Sequence, residues 1–217
     1  TAGRAAATSV LSYAKDGGTA TNVTLTPAAD GSWSWASSSA SLTNGSNDGL
    51  YVFTLTVADL AGKTVSSQQV IKIDTTAPTL VVAAPVAGEA TALSSYAISG
   101  TSRDTGGVGF DNAADVEYQF STEGSTWHSL ALTGTSWSGS ASMGAGEGSR
   151  ILNFRSTDAL GNQATASVTF YYDLANPSLT ETSVGTTDTQ YRNADLAFGG
   201  TASDSNALAG LAVSVNG

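Results

Sequence analysis

The chain has 217 residues, a formal charge of −10 and a sequence pI near 4.2, with 41% hydrophobic, 8% aromatic and only 12% charged residues. That balance suits one or two folded domains with modest cores, and it excludes a basic footprint for nucleic acid or anionic lipid. With no cysteine there is no disulfide framework and no thiolate metal site, and no apolar run approaches the 18 residues of a membrane span.

Read in chain order, the first segment that alternates as a strand is Ser9–Tyr13, and Ser32–Trp35 follows as a short aromatic stretch. Residues 49–80 then read GLYVFTLTVADLAGKTVSSQQVIKIDTTAPTL. The same pattern returns without a gap at 148–179 as GSRILNFRSTDALGNQATASVTFYYDLANPSL. Asp59 maps onto Asp158, Gly62 onto Gly161, Asp74 onto Asp173, Pro78 onto Pro177 and Leu80 onto Leu179, at a constant offset of 99. Between the copies, Ala83–Pro85 and Ala90–Leu93 read as an edge strand and its turn, and Tyr96–Thr101 as a strand. A Gly/Asp-rich loop, Ser102–Ala114, comes next. Val116, Tyr118 and Phe120 alternate with polar neighbours, Glu123-Gly124 turns the chain, and Trp127–Leu132 and Trp137–Met143 continue a meander. Ile151–Ser156 and Ala166–Tyr172 form a hairpin around Gly161-Asn162. No segment carries a sustained helical period.

A period near 100 residues, with turn signals every 8–12, is the size of one small antiparallel sandwich. The expected fold is all-β: tandem Ig-like β-sandwich domains, one complete and two partial. Residues 77–175 form the complete domain. Residues 1–76 match it from Ser9–Tyr13 (its Val116–Phe120) and Trp33 (its Trp137) onward, and lack its first two strands. Residues 176–217 supply the first strands of a third: Leu196–Asp204 matches Tyr96–Asp104, and Leu211–Val215 matches Val116–Phe120. Beginning and ending in mid-sandwich marks a fragment of a longer array. The alternative is donor-strand assembly, in which residues from about 175 to 217 of one copy complete the first 75 or so of the next. Both ends supply the third strand, which would make such complementation redundant.

The strings Thr157-Asp158-Ala159-Leu160-Gly161-Asn162, Asp74-Thr75-Thr76-Ala77-Pro78-Thr79 and Gly200-Thr201-Ala202-Ser203-Asp204 resemble the bacterial Ig-like tandem repeats of large surface adhesins. Such repeats carry a D-x-A-G-N turn, a D-T-T-A-P linker and G-T-A-x-D after the second strand. Lys63 in the first turn, and Leu174-Ala175-Asn176-Pro177 in the second linker, depart from the pattern. The resemblance implies a secreted or surface-anchored protein whose partners are neighbouring Ig-like domains of the same array or adjacent subunits.

In an Ig-like sandwich the second–third and sixth–seventh strand loops share the pole at which the preceding linker arrives. Asp74, with Asp104 or Asp111, and Asp158 are therefore expected to converge, with Asn162 adding an amide oxygen. Asp173 and Asp204 occupy the same places at the second junction. Clustered carboxylates repel unless neutralised, and Ca²⁺ accepts 6–8 oxygen ligands from such loops. The competing expectation is that these aspartates only cap Asx turns.

No G-x-S-x-G, H-E-x-x-H or P-loop motif is present, and His128, the single histidine, reads as a surface residue, so the chain reads as non-enzymatic. Trp33, Trp35, Trp127 and Trp137 raise the possibility of sugar stacking, but Trp33 and Trp137 match between the repeats and are expected in cores, with Trp35 at the surface. The functional expectation is a structural spacer or stalk of an adhesin or extracellular filament, stiffened by interdomain Ca²⁺. One alternative is a carbohydrate- or host-receptor-binding module, with an aromatic platform at Trp35 or in residues 38–48. A strand-exchanged filament subunit is another.

Overall fold

A computed structural model describes residues 8–28, 30–37, 42, 45–110, 115–182, 193 and 197–214. Fourteen strands and one 3-10 turn account for the regular structure of these residues, and none of their helices is long and apolar enough to cross a membrane. The protein is all-β, with one complete Ig-like sandwich between two partial ones.

In the N-terminal unit β1 (Thr8–Lys15), β2 (Thr21–Thr24), β3 (Gly49–Ala58) and β4 (Thr64–Ile73) form one antiparallel sheet in the order β2-β1-β3-β4. In the central unit β5 (Thr79–Ala84), β7 (Ser95–Arg103) and β10 (Ser136–Ser142) make one face of a sandwich. The other face consists of β8 (Val116–Phe120), β11 (Gly148–Thr157) and β12 (Gln163–Tyr172), edged by the short β6 (Ala90–Thr91). Strand β9 (His128–Thr133) joins the faces: His128–Leu130 pair with β8, and Ala131–Thr133 pair with β10. Last, β13 (Ser178–Glu181) and β14 (Gly200–Ser203) form a two-stranded ribbon.

The strict alternation in β11 and β12 directs Leu152, Phe154, Phe170 and Tyr172 inward, where they meet Ile98, Val116, Leu130, Trp137 and Met143. Trp137 lies at the centre, its ring 5.2 Å from that of Phe154. It reaches that position because its cross-strand partner is Gly100: a Cβ there would meet the Trp137 ring at 2.3 Å and the Val81 carbonyl at 2.0 Å.

The repeat read from the sequence is also a repeat of pairing. Phe53↔Gln69 in β3–β4 becomes Leu152↔Val168 in β11–β12, and Leu11↔Leu55 becomes Tyr118↔Phe154. Environments differ, however. Leu152, Phe154 and Phe170 are fully buried, whereas their counterparts Phe53 and Leu55 are half-buried and Ile71 is 48% exposed. No second sheet covers the N-terminal one among the described residues as β5, β7 and β10 cover the central one, although Leu11 and Tyr51 on its inner face are buried.

Two expectations change. Ser32–Trp35 has no strand structure, and Trp33 is 47% exposed, while Trp35 is half-buried against Tyr13 at 5.7 Å and Phe53 at 6.1 Å. In the central unit the matching segment is a strand because β7 pairs along its whole length, and no such strand accompanies residues 32–35 among the described residues. Likewise 211–214, the described part of the expected strand Leu211–Val215, is irregular and exposed. Its counterpart β8 is held between β9 and β11, whereas no strand pairs with 211–214 among the described residues.

Candidate metal centre

The linker after β4 enters the pole of the central sandwich, and Asp74, its first residue, is buried there. Asp104 leaves the end of β7 and Asp158 the end of β11. Their carboxylates meet, so that one oxygen from each lies within 4.8 Å of the others, with Asp74 and Asp158 buried and Asp104 half-buried. Three of the expected residues are thus brought together. Asp111 lies outside the described residues. Asn162 reaches the cluster through its nitrogen: Nδ2 donates to Asp158 Oδ2 at 2.7 Å and to the Asp74 carbonyl at 3.3 Å. It ties the turn to the linker as a donor rather than offering an oxygen.

Backbone amides hold each carboxylate. Asp158 Oδ1 accepts the Leu160 and Asn162 N–H groups at 2.9 Å each, an Asx turn that Asp59 repeats with Ala61 and Lys63. Asp74 accepts from Thr76 at 3.1 Å and, across the junction, from the Val108 N–H at 2.8 Å. Asp104 accepts the Gly109 N–H at 2.6 Å. The loop can close so tightly because residue 107 is glycine: a Cβ there would meet the Asp104 carboxylate at 2.0 Å.

These bonds leave lone pairs free, since a carboxylate offers about four acceptor sites. Burial pushes the Asp104 carboxyl above its ordinary value. The Gly109 amide opposes that rise, the charges of Asp74 and Asp158 add to it, and Lys72 opposes it more weakly. A set of three hard oxygen donors under mutual repulsion fits Ca²⁺, with carbonyls or water completing the shell, and does not fit a soft metal.

At the second junction Asp173 Oδ1 accepts the Ala175 N–H as Asp74 accepts that of Thr76, and Asp204 Oδ1 accepts the Asn206 N–H. Neither belongs to a cluster of three acidic groups among the described residues.

Two acidic residues that hold the linkers escaped the sequence reading. Asp48, before β3, holds the linker from the N-terminal side: its carboxylate accepts the Thr75 N–H at 2.9 Å, the Thr75 hydroxyl at 2.9 Å and the Thr76 hydroxyl at 2.6 Å. Burial tends to raise its pKa, but the bonds from Thr76 and Thr75 outweigh burial and hold it below the ordinary 3.8. Glu147 does the same at the next junction, accepting the Leu174 N–H at 3.3 Å. The signal was present, because Asp48-Gly49 and Glu147-Gly148 coincide at the offset of 99.

No family model and no curated protein matches the chain. Among solved structures it is similar to a tetra-tandem repeat in the extending region of a large adhesion protein, at 18% identity and a TM-score of 0.39. That match covers 84% of this chain and 46% of the other, so this chain spans under half the length of that one. It is similar also to the fibronectin(III)-like modules of Clostridium thermocellum CbhA, at 13% identity and a TM-score of 0.35, over 79% of this chain and 82% of that one. Domains 4 and 5 of the S-layer protein SbsC match at 14% identity and a TM-score of 0.28, over 79% and 74%. At these scores the likenesses carry no argument about what this chain does.

Of the expected aromatic platform, residues 38–41 and 43–44 lie outside the described residues, and Trp33 is exposed. Trp35 stacks into its own sheet, Trp137 is buried, and one face of Trp127 is covered by the Arg155 guanidinium 4.2 Å away, itself fixed by Glu117 at 2.6 Å. His128 lies at the surface with Glu123 at 3.0 Å and the Tyr118 ring beneath it.

Proposed function

We propose that this chain is a run of structural spacer repeats from a secreted or surface-anchored bacterial adhesin or extracellular filament, its first junction stiffened by Ca²⁺. The observation that carries the reading is the linker. Residues 74–76 are gripped from one side by Asp48 and from the other by the Val108 amide and Asn162. Three or more hydrogen bonds on so short a segment restrict the swing of one sandwich against the next, which a stalk needs and a free linker lacks. Support also comes from the resemblance of the linker and turn strings to adhesin repeats. Asp74, Asp104 and Asp158 are the residues that would hold the ion. Bound there, it would neutralise the carboxylates and fasten the linker to two loops of the central sandwich.

Titration calorimetry of the full chain with CaCl₂ tests the ion, with binding expected around 10⁻⁴–10⁻³ M, the range of extracellular modules. Addition of EDTA should then lower the melting temperature and shorten the particle in solution scattering. Absence of heat together with unchanged melting and scattering overturns calcium stiffening. Glycan-array binding that Trp33→Ala abolishes would overturn the spacer reading itself.

A further inference from the structure

Asp48 and Glu147, the acids that hold the linkers, each end a loop that is pinned at two backbone carbonyls. Ahead of Asp48 lies the 3-10 turn Gly45–Asn47. Its Ser46 carbonyl accepts from Lys15 Nζ at 3.3 Å, and its Asn47 carbonyl accepts from the Tyr51 hydroxyl at 2.7 Å. Ahead of Glu147 the equivalent oxygens, at the offset of 99, are those of Ala145 and Gly146. Both accept from Arg150 Nη2, at 3.4 and 2.6 Å. Arg150 stands where Tyr51 stands, and Thr122 stands where Lys15 does, since β1 matches β8 at an offset of 107. The two repeats therefore hold the same two oxygens with different side chains. Where the lysine is gone, one arginine serves both.

Carbonyls in such a turn have no strand partner and need donors from elsewhere. The Asn47 oxygen belongs to the planar peptide that ends at Asp48, and the Gly146 oxygen to the one that ends at Glu147. Fixing the oxygen fixes the plane, and the plane sets the direction in which the acid leaves the backbone. The donors are themselves held. Tyr51 is 2% exposed, its ring 5.9 Å from that of Phe53 and 6.2 Å from that of Tyr13. Arg150 Nε also donates to the Met143 carbonyl at 3.3 Å, and its guanidinium lies 5.5 Å from the centre of the Tyr172 ring. Past the acids the correspondence continues: Thr75 and Leu174, whose N–H groups the two carboxylates accept, are again 99 residues apart. The first loop also packs directly on its linker, because a Cβ on Gly45 would meet Thr76 Oγ1 at 3.2 Å.

We propose that Lys15 and Tyr51 in one repeat, and Arg150 in the next, are positioning residues that aim Asp48 and Glu147 at the linkers and so set how far each junction bends. A path then runs from the interior of a sheet through one carbonyl and one carboxylate to the linker, and the packing of a domain is felt at its joint with the next. This role deepens the spacer reading, on which it rests, and needs no ion.

The test uses the absence of native cysteine. Spin labels at Ser67→Cys on β4 and Ser129→Cys on β9, both exposed, let pulsed electron spin resonance read the spread of distances between the two units in the full chain. Tyr51→Phe keeps the ring and removes only the hydroxyl, and Lys15→Met keeps the stem and removes the charge. Each should broaden the distribution, and the double variant should match Asp48→Ala. Adding Asp48→Ala to the double variant should broaden it no further, because all three act through one carboxylate. Broadening by Asp48→Ala alone, with the double variant unchanged, overturns the positioning role and leaves the Asp48 grip standing. Further broadening when Asp48→Ala is added to the double variant also overturns it, since the two side chains would then only stiffen their own sheet. A distribution that no variant changes overturns the positioning role and the stiff junction together.

Discussion

Ser102 Oγ and Ser156 Oγ lie 2.6 Å apart, both fully buried, and join β7 to β11 across the interior of the central sandwich. Each stands two residues before a carboxylate of the acidic cluster, Asp104 and Asp158. The bond therefore sets the spacing of the strands that deliver two of the three acids. Ser102→Ala or Ser156→Ala alone strands the surviving hydroxyl and should cost about 1–3 kcal/mol. The double variant should cost less than the sum, and a double-mutant cycle from chemical denaturation measures the difference.

Asp104→Asn should act in opposite directions with and without the ion. Its folded pKa is raised, so the native state binds more protons than the unfolded chain between 3.8 and the raised value, and stability falls as pH rises through that window. Without Ca²⁺ the neutral amide should stabilise the fold by roughly 0.5–1 kcal/mol, in the range of single weakly buried charge interactions. With Ca²⁺ it removes a ligand, and the rise in melting temperature on adding the ion should shrink or vanish. Thermal scans of both proteins in EDTA and in CaCl₂ check both signs.

The Asp48 clamp should respond to acid with the reverse sign. Its depressed folded pKa means that its contribution is fully present above 3.8 and is lost as pH falls through the lower folded value. Asp48→Ala should reproduce at neutral pH the junction that acid produces. The expected result is a broader distribution of domain angles in solution scattering, with the melting of the central sandwich unchanged. An unchanged scattering profile would show that the clamp does not govern the junction.

Gly100→Ala should destabilise the central sandwich by about 1–3 kcal/mol or more, because the added methyl meets both a carbonyl and the Trp137 ring. Loss of the near-ultraviolet tryptophan signal at lower denaturant concentration reports it.

Strands and the acidic cluster were legible because each rests on a local signal. Alternation placed β8, β11 and β12, and the repeat of Asp59 and Asp74 at Asp158 and Asp173 marked the turns and linkers. Trp33 was not legible, since Trp137 owes its burial to pairing with β7, a tertiary contact that residues 32–35 lack among the described residues. The Asn162 nitrogen facing the cluster, and Asp48 reaching the linker 27 residues on, follow from tertiary arrangement. Only the recurrence of an acid before Gly49 and Gly148 hinted at the second.

The parallel pairing of β6 with β12 bears on how the central sandwich would carry load. Residues 88–91 and 169–173 share three hydrogen bonds: Gly88 N–H to Thr169, Tyr171 N–H to Glu89 and Asp173 N–H to Thr91. Tension enters this unit through the linker ahead of β5 and leaves through Asp173 at the end of β12. Parallel strands drawn from opposite ends slide past each other, so the three bonds are sheared together instead of peeling one at a time. A patch of two residue pairs thus sits where a stretched array would first resist being pulled apart.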